Sequence, residues 1–181
     1  MRIIGGQWRR SLLPVADRPG LRPTPDRVRE TLFNWLGQDL SGWRVVDAFA
    51  GSGALGFEAA SRGAAEVLLL EQDPALVASL NASRERLKAL TLRVQRADAI
   101  AWLRAAPAAS QELVLLDPPF AAGLAQPALA AAARVLVPAG FVYLEAGEPL
   151  PTELPAGLTL YRQGQAGAVH FALLQKDEET R

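Results

Sequence analysis

From Val45 to Leu136, short apolar runs of strand character alternate with stretches of helical character. Val45 to Phe49 precedes Ala54 to Ser61, Val67 to Leu70 precedes Leu76 to Leu87, Leu92 to Val94 precedes Ala99 to Leu103, and Leu113 to Leu116 precedes Leu124 to Leu136. Parallel strands need crossovers long enough to hold a helix, so this alternation predicts an α/β fold: a parallel sheet with helices on both faces. After Gly140 the rule changes. Phe141 to Leu144 and Val169 to Leu174 read as strands separated by a Gly- and Pro-bearing stretch, which predicts a terminal hairpin.

The chain has 181 residues, half of them hydrophobic, enough for one compact domain with a sizeable core. It has no cysteine and one histidine, His170, so no disulfide framework, thiolate site or other metal centre is expected. The start, Met1 to Gly6, lacks a long apolar stretch, and no run approaches the roughly 20 apolar residues of a membrane span. The expectation is a cytoplasmic protein, and a monomer, because no long apolar seam is legible.

Net charge is zero, but it is unevenly spread. Residues 1 to 29 carry Arg2, Arg9, Arg10, Arg18, Arg22, Arg27 and Arg29 against Asp17 and Asp26, a surplus of +5. Such clustering predicts a polyanion-facing end. Residues 2 to 15 read as a short hairpin around Gly5-Gly6, with Trp8 beside Arg9 and Arg10 placed either to stack on a base or to pack the hairpin. Thr24-Pro25 reads as a helix start, the hydroxyl capping an orphan amide and proline at the first helical position. Val28, Leu32 and Leu36 then recur at helical spacing up to Gly37. The acidic tail after Lys176 is expected to fray.

Gly51, Gly53 and Gly56 satisfy G-x-G-x-x-G at the end of the first strand, and Glu71 follows Gly51 by 20 residues. Such a turn lets backbone approach a nucleotide, and a carboxylate at the second strand's end accepts from ribose hydroxyls. The spacing also suits a nicotinamide dinucleotide. Asp47 argues otherwise: an acid four residues before Gly51 repels a pyrophosphate but suits an amino group or sulfonium. The roughly 140 residues after Gly42 are also too few for a two-halved dinucleotide fold and a substrate domain. S-adenosylmethionine is therefore the expected cofactor, with Asp47, Phe49, Gly51, Gly53, Glu71, Gln72, Asp98 and Ala99 as its candidate contacts. Asp98 could accept from adenine, cap the helix that follows it, or do both.

Asp117-Pro118-Pro119-Phe120 closes the fourth strand, at the carboxyl edge where open α/β sheets place their chemistry. An amine becomes nucleophilic when both its N–H groups are held by acceptors that leave its lone pair aimed at a methyl group. The Asp117 carboxylate and Pro118 carbonyl can be those acceptors, two prolines remove competing donors, and Phe120 can stack on a base. An ordinary Asp-Pro turn is the plainer alternative. No general base is evident, and positioning can carry the transfer.

With Arg2 to Gly6, Gly20 to Thr24, Asp26 to Phe33, the Asp47 glycine segment, Asp117 to Phe120 and Val169-His170-Phe171, the chain resembles the bacterial RsmD family from Met1 to about Leu174. The resemblance implies a Rossmann-like methyltransferase fold: a seven-stranded, mostly parallel sheet with an antiparallel last strand, plus the N-terminal hairpin and helix. It implies S-adenosylmethionine as donor and the N2 amine of one guanine in 16S rRNA as acceptor, in the small ribosomal subunit or an assembly intermediate. Residues 1–40 would then be an RNA-facing extension gripping RNA through Arg2, Arg9, Arg10, Arg22 and Arg27. Residues 41–176 would be the methyltransferase domain and 177–181 a tail. His170 is read as structural, on a sheet edge. The rival readings are an amino-methyltransferase for adenine or cytosine in DNA or another RNA, a nicotinamide oxidoreductase, and a non-catalytic RNA-binding assembly factor.

Overall fold

A computed structural model describes residues 1–19, 21, 23–120 and 123–179. The elements follow in the order α1 (Asp26–Leu36), β1 (Arg44–Asp47), α2 (Ala54–Ser61), β2 (Glu66–Glu71), α3 (Pro74–Leu87) and β3 (Leu92–Arg96). They continue with α4 (Ala99–Ala105), β4 (Gln111–Leu116), α5 (Ala125–Val135), β5 (Leu136–Ala146), β6 (Leu158–Ala166) and β7 (Val169–Lys176). One seven-stranded sheet has the order β3-β2-β1-β4-β5-β7-β6, and β7 runs antiparallel to both its neighbours. The chain order reverses between β1 and β4, the place where an open α/β sheet has a crevice at its carboxyl edge.

Strand alternation sends neighbouring residues to opposite faces, and each face has its own core. Val45, Leu69, Leu113, Leu115, Tyr143 and Leu173 pack with the N-terminal arm, α1, α2 and Leu80 of α3. Val46, Leu68, Leu70, Val114, Leu116 and Leu144 pack with α4 and α5. The Ala-rich α5 buries Ala128, Ala131, Ala132 and Ala133, whose small side chains let the helix lie close to the sheet. Helix α1 buries Val28, Leu32, Phe33 and Leu36, as its spacing predicts, and Trp35 stacks on Phe171 with ring centroids 5.5 Å apart.

Four sequence expectations are corrected. The terminal hairpin is β6–β7, not Phe141–Leu144 with Val169–Leu174. Those two segments do pair, but the strand between them in sequence, β6, lies at the sheet edge. His170 is therefore on an internal strand, opposite Ala146 and Gln165. Thr24 does not cap α1: Pro25 is the N-cap residue, and no side chain closes that end. Arg29 does not face a polyanion, because it is fully buried. The acidic tail is tied at its first residue, where the Asp177 amide donates to Gly157 and its carboxylate accepts from Thr159. No helix among the described residues is long and apolar enough to cross a membrane.

The two limbs of the N-terminal hairpin meet at the antiparallel bridge of Arg2 with Leu12, where the Ile3 amide donates to Ser11, that of Arg10 to Ile3 and that of Leu13 to Met1. The hairpin is anchored to the rest of the protein by Glu58. Glu58 of α2, wholly buried, accepts from the amides of Ile4 (3.0 Å) and Gly5 (2.8 Å) and pairs with Arg29 (3.3 Å) and Arg62 (3.1 Å). Arg29 also donates to the carbonyls of Arg2 and Thr24, at 3.0 and 3.1 Å, and pairs with Asp26. One buried acid thus ties the arm, α1 and α2 together.

Candidate active site

Strands β2 and β1 end in an acid, Glu71 and Asp47, β4 hands on to Asp117, and β5 carries Glu145 one residue before its end. Register places all four on the face covered by the arm, α1 and α2. Asp47 pairs with Leu115 and Leu69, Leu115 with Tyr143, and Asp117 lies one step beyond the Leu116–Leu144 pair, beside Glu145. The result is a row of carboxyl groups along the carboxyl edge.

The glycine turn is braced by two of them. Gly53 caps α2 with φ of 84°, a left-handed conformation that a side chain would strain. At Gly56 a Cβ would fall 2.0 Å from Leu69 Cδ2, so the helix can reach the strand only with glycine there. The Gly56 amide donates to Asp47 Oδ2 at 2.9 Å, and the Gly51 amide to Glu71 Oε2 at 2.9 Å. Glu71 Oε1 accepts from the amides of Gln72 and Asp73. Asp98 caps α4, its Oδ1 accepting from the Ala101 amide at 2.8 Å, while Oδ2 accepts from Gln72 Nε2 at 3.0 Å. Phe49 is partly buried against the α4–α5 core, and Ala99 is buried at the start of α4. The eight expected cofactor residues thus gather along one stretch of the sheet edge.

Asp47 is 1% exposed and its Oδ1 has no hydrogen-bond partner. Burial, aided by the charges of Glu71 and Glu145 and opposed by the Gly56 amide, pushes its pKa up to about 7. Asp117 and Glu145 are raised as well, both chiefly by burial. The charges of Glu145 and Asp47 push Asp117 further, and the Asp117–Glu145 pair keeps one proton well above the ordinary carboxylate range.

Three further groups complete the cradle. Tyr143 donates from its hydroxyl to Glu145 Oε1 at 2.7 Å. Thr24 is buried beside Asp117 and Glu145, where its hydroxyl favours the charged form of each. Glu145 follows the apolar run Phe141 to Leu144 as Asp47 and Asp117 follow theirs, and that repetition is the one signal by which the sequence could have revealed it. Pro118 is buried, while Pro119 and Phe120 are exposed; Phe120 offers half its surface and lies against Gly147.

The segment before α1 lies along this edge. Arg18 pairs with Asp73 at 3.1 Å, Leu21 Cδ1 sits over Gly51, and Thr24 ends at the Asp117–Glu145 pair. Arg2, Arg9, Arg10 and Arg27 are exposed, and the first three line an open groove with Asp26 and Glu30. Arg22 lies outside the described residues. Trp8 packs partly buried against the core, with its amide on Ser61 Oγ. No cluster suited to a metal ion occurs among the described residues.

Comparison with known proteins gives this geometry a family. The model of "Conserved hypothetical protein 95" matches residues 1–175. The chain is 44% identical to ribosomal RNA small subunit methyltransferase D of Escherichia coli K12, over 99% of this chain and 91% of that protein. It is 37% identical to the protein of the same name from Haemophilus influenzae, over 97% and 93%. The solved structure of an Escherichia coli protein, yhhF, provisionally called a methyltransferase, superposes with a TM-score of 0.87 at 40% identity, covering 99% of each chain. With a family model spanning nearly its whole length and relatives of this identity, the chain belongs to the conserved hypothetical protein 95 family, the RsmD family of methyltransferases.

Proposed function

We propose that the protein transfers a methyl group from S-adenosylmethionine to the exocyclic N2 amine of a guanine in 16S rRNA, within the small ribosomal subunit or an assembly intermediate. The observation that carries this reading is the placement of Asp117 to Phe120 beside the braced glycine turn, on one sheet edge, in a chain whose relatives are named rRNA small subunit methyltransferases. The cofactor would supply an electrophilic methyl on a sulfonium. The site's chemistry fits such a cation: Asp47 Oδ1 is a buried acceptor without a partner, amid three further acids. Gly51 and Gly53 would lie along the methionine end with Phe49, Glu71 and Gln72 by the ribose, and Asp98 and Ala99 by the adenine.

Asp117 and the Pro118 carbonyl would hold the amine's two N–H groups, and exposed Phe120 would stack on the base. A base–aromatic stack is worth about 1–3 kcal/mol, comparable with the cost of unstacking a nucleotide. Residues 1–40 would face RNA through Arg2, Arg9, Arg10, Arg22 and Arg27, and 41–176 would carry the transfer. A monomer acting in the cytoplasm, on a ribosomal substrate, completes the reading. Incubation with labelled S-adenosylmethionine and unmodified small subunits should label 16S rRNA; label confined to DNA or to protein would overturn it. Tight binding of a nicotinamide dinucleotide without S-adenosylmethionine binding would return the glycine turn to its dehydrogenase reading.

A further inference from the structure

Asp117 needs only its own oxygens to act as an acceptor, yet a buried acid stands beside it. Glu145 is 4% exposed and lies next to Asp117 on the adjacent parallel strand. Its Oε1 is held by the Tyr143 hydroxyl at 2.7 Å, and buried Thr24, on the chain segment that leads into α1, lies beside both acids. That segment is itself fixed, because buried Arg29 donates to the Thr24 carbonyl at 3.1 Å. The titratable groups around the pair are Asp47 on β1, Glu71 on β2 and Tyr143 on β5, while His170 of β7 points to the opposite face. None of these neighbours on the pair's face is a cation, and Arg29, the guanidinium that reaches Thr24, is already paired with Glu58 and Asp26.

We propose, building on the amine-methylation reading, that Glu145 is a positioning residue: held by Tyr143 and flanked by Thr24, it accepts a hydrogen bond from the protonated Asp117 carboxyl group and so turns the Asp117 carbonyl oxygen, with that of Pro118, to the target amine. Two anions side by side in a buried site without a cation repel, whereas an acid and a carboxylate sharing one proton bind each other and fix each other's rotamers. An amine needs acceptors only, so a carbonyl oxygen serves. Thr24 makes this arrangement depend on the anchoring of the N-terminal arm, since the same short stretch joins the arm to α1 and lies beside the pair.

The test is single-turnover methyl transfer to unmodified small subunits across pH, with cofactor affinity measured alongside. Wild type is expected to lose rate at high pH, where the pair gives up its last proton, and at low pH, where Glu145 protonates. Asp117→Asn can donate its amide N–H to Glu145 while offering its carbonyl. It should be about tenfold slower than wild type, far faster than Asp117→Ala, and free of the alkaline fall. Tyr143→Phe removes a bond that stabilises the Glu145 charge, so its acid limb should move to higher pH while KM for the subunit and cofactor affinity stay. Asp117→Asn as inactive as Asp117→Ala, or an unmoved profile in Tyr143→Phe, overturns the proposal. Should wild type label no subunit rRNA, it is the substrate reading that fails, and the same variants decide the role of Glu145 on whichever amine wild type labels.

Discussion

Two groups of acids on the same side of the sheet live under opposite rules. Glu58, at the root of the N-terminal arm, has two guanidiniums and two backbone amides on its oxygens. Asp47, Asp117 and Glu145, at the carboxyl edge, have no cation among them, and Asp47 keeps an oxygen without any partner. The first arrangement fastens structure, because removing any member strands a buried charge. The second holds unspent acceptor capacity and like-charge repulsion, which is what a site for a cation and an amine needs and what a stable fold avoids.

Substitutions should separate the two. Asp117→Ala at the edge is expected to abolish methyl transfer to within detection while leaving RNA affinity in a filter-binding assay unchanged; turnover like wild type would break the cradle. Glu58→Leu at the root leaves Arg29 and Arg62 buried without their shared anion, and chemical denaturation should show a loss of about 3–5 kcal/mol. A loss below about 1 kcal/mol, the worth of an exposed pair, would mean that the triad is not the fastening.

Asp47 sharpens the comparison through its pH dependence. Its pKa stands near 7 in the fold against 3.8 for the ordinary group, so the folded state binds the extra proton between those values. Its contribution is complete below about pH 4 and is lost as pH rises through 7, so the free protein should melt at lower temperature at pH 8 than at pH 5. Asp47→Asn should make that slope shallower and raise the melting temperature at pH 8, while cofactor binding measured by calorimetry weakens. Equal slopes in the two proteins would place the titration elsewhere. The smallest effect belongs to the exposed arm. Replacing Arg9 and Arg10 by alanine should lower the slope of log affinity for RNA against log salt by roughly one for each phosphate that is no longer neutralised, without changing stability.

The parallel part of the sheet was legible because its strands are buried on both faces and read as unbroken apolar runs, such as Val67 to Leu70 and Leu113 to Leu116. Strand β6 was not. Leu-Thr-Leu-Tyr-Arg-Gln-Gly-Gln-Ala lies at the sheet edge with Thr159 to Gln163 exposed, so neither an apolar run nor a clean alternation marks it. The glycine turn, Glu71, Asp98 and Asp117 to Phe120 could be read because each is set by local position at a strand end. Thr24 could not, since its partners are far along the chain and its local context, a hydroxyl before proline, is that of a helix cap. Arg29 misled for the same reason: composition counts charge, and only packing reveals that Glu58 neutralises it.

Everything proposed for the carboxyl edge turns on the substrate, and the modified nucleoside identifies it. Small subunits and naked 16S rRNA from cells lacking this methylation should be treated with the protein and labelled S-adenosylmethionine, digested to nucleosides and resolved by mass spectrometry. N2-methylguanosine is the expected product, with the better of the two substrates showing whether ribosomal proteins help present the base. Label recovered as a methylated adenosine or cytidine, or no label despite cofactor binding, would refute the guanine assignment.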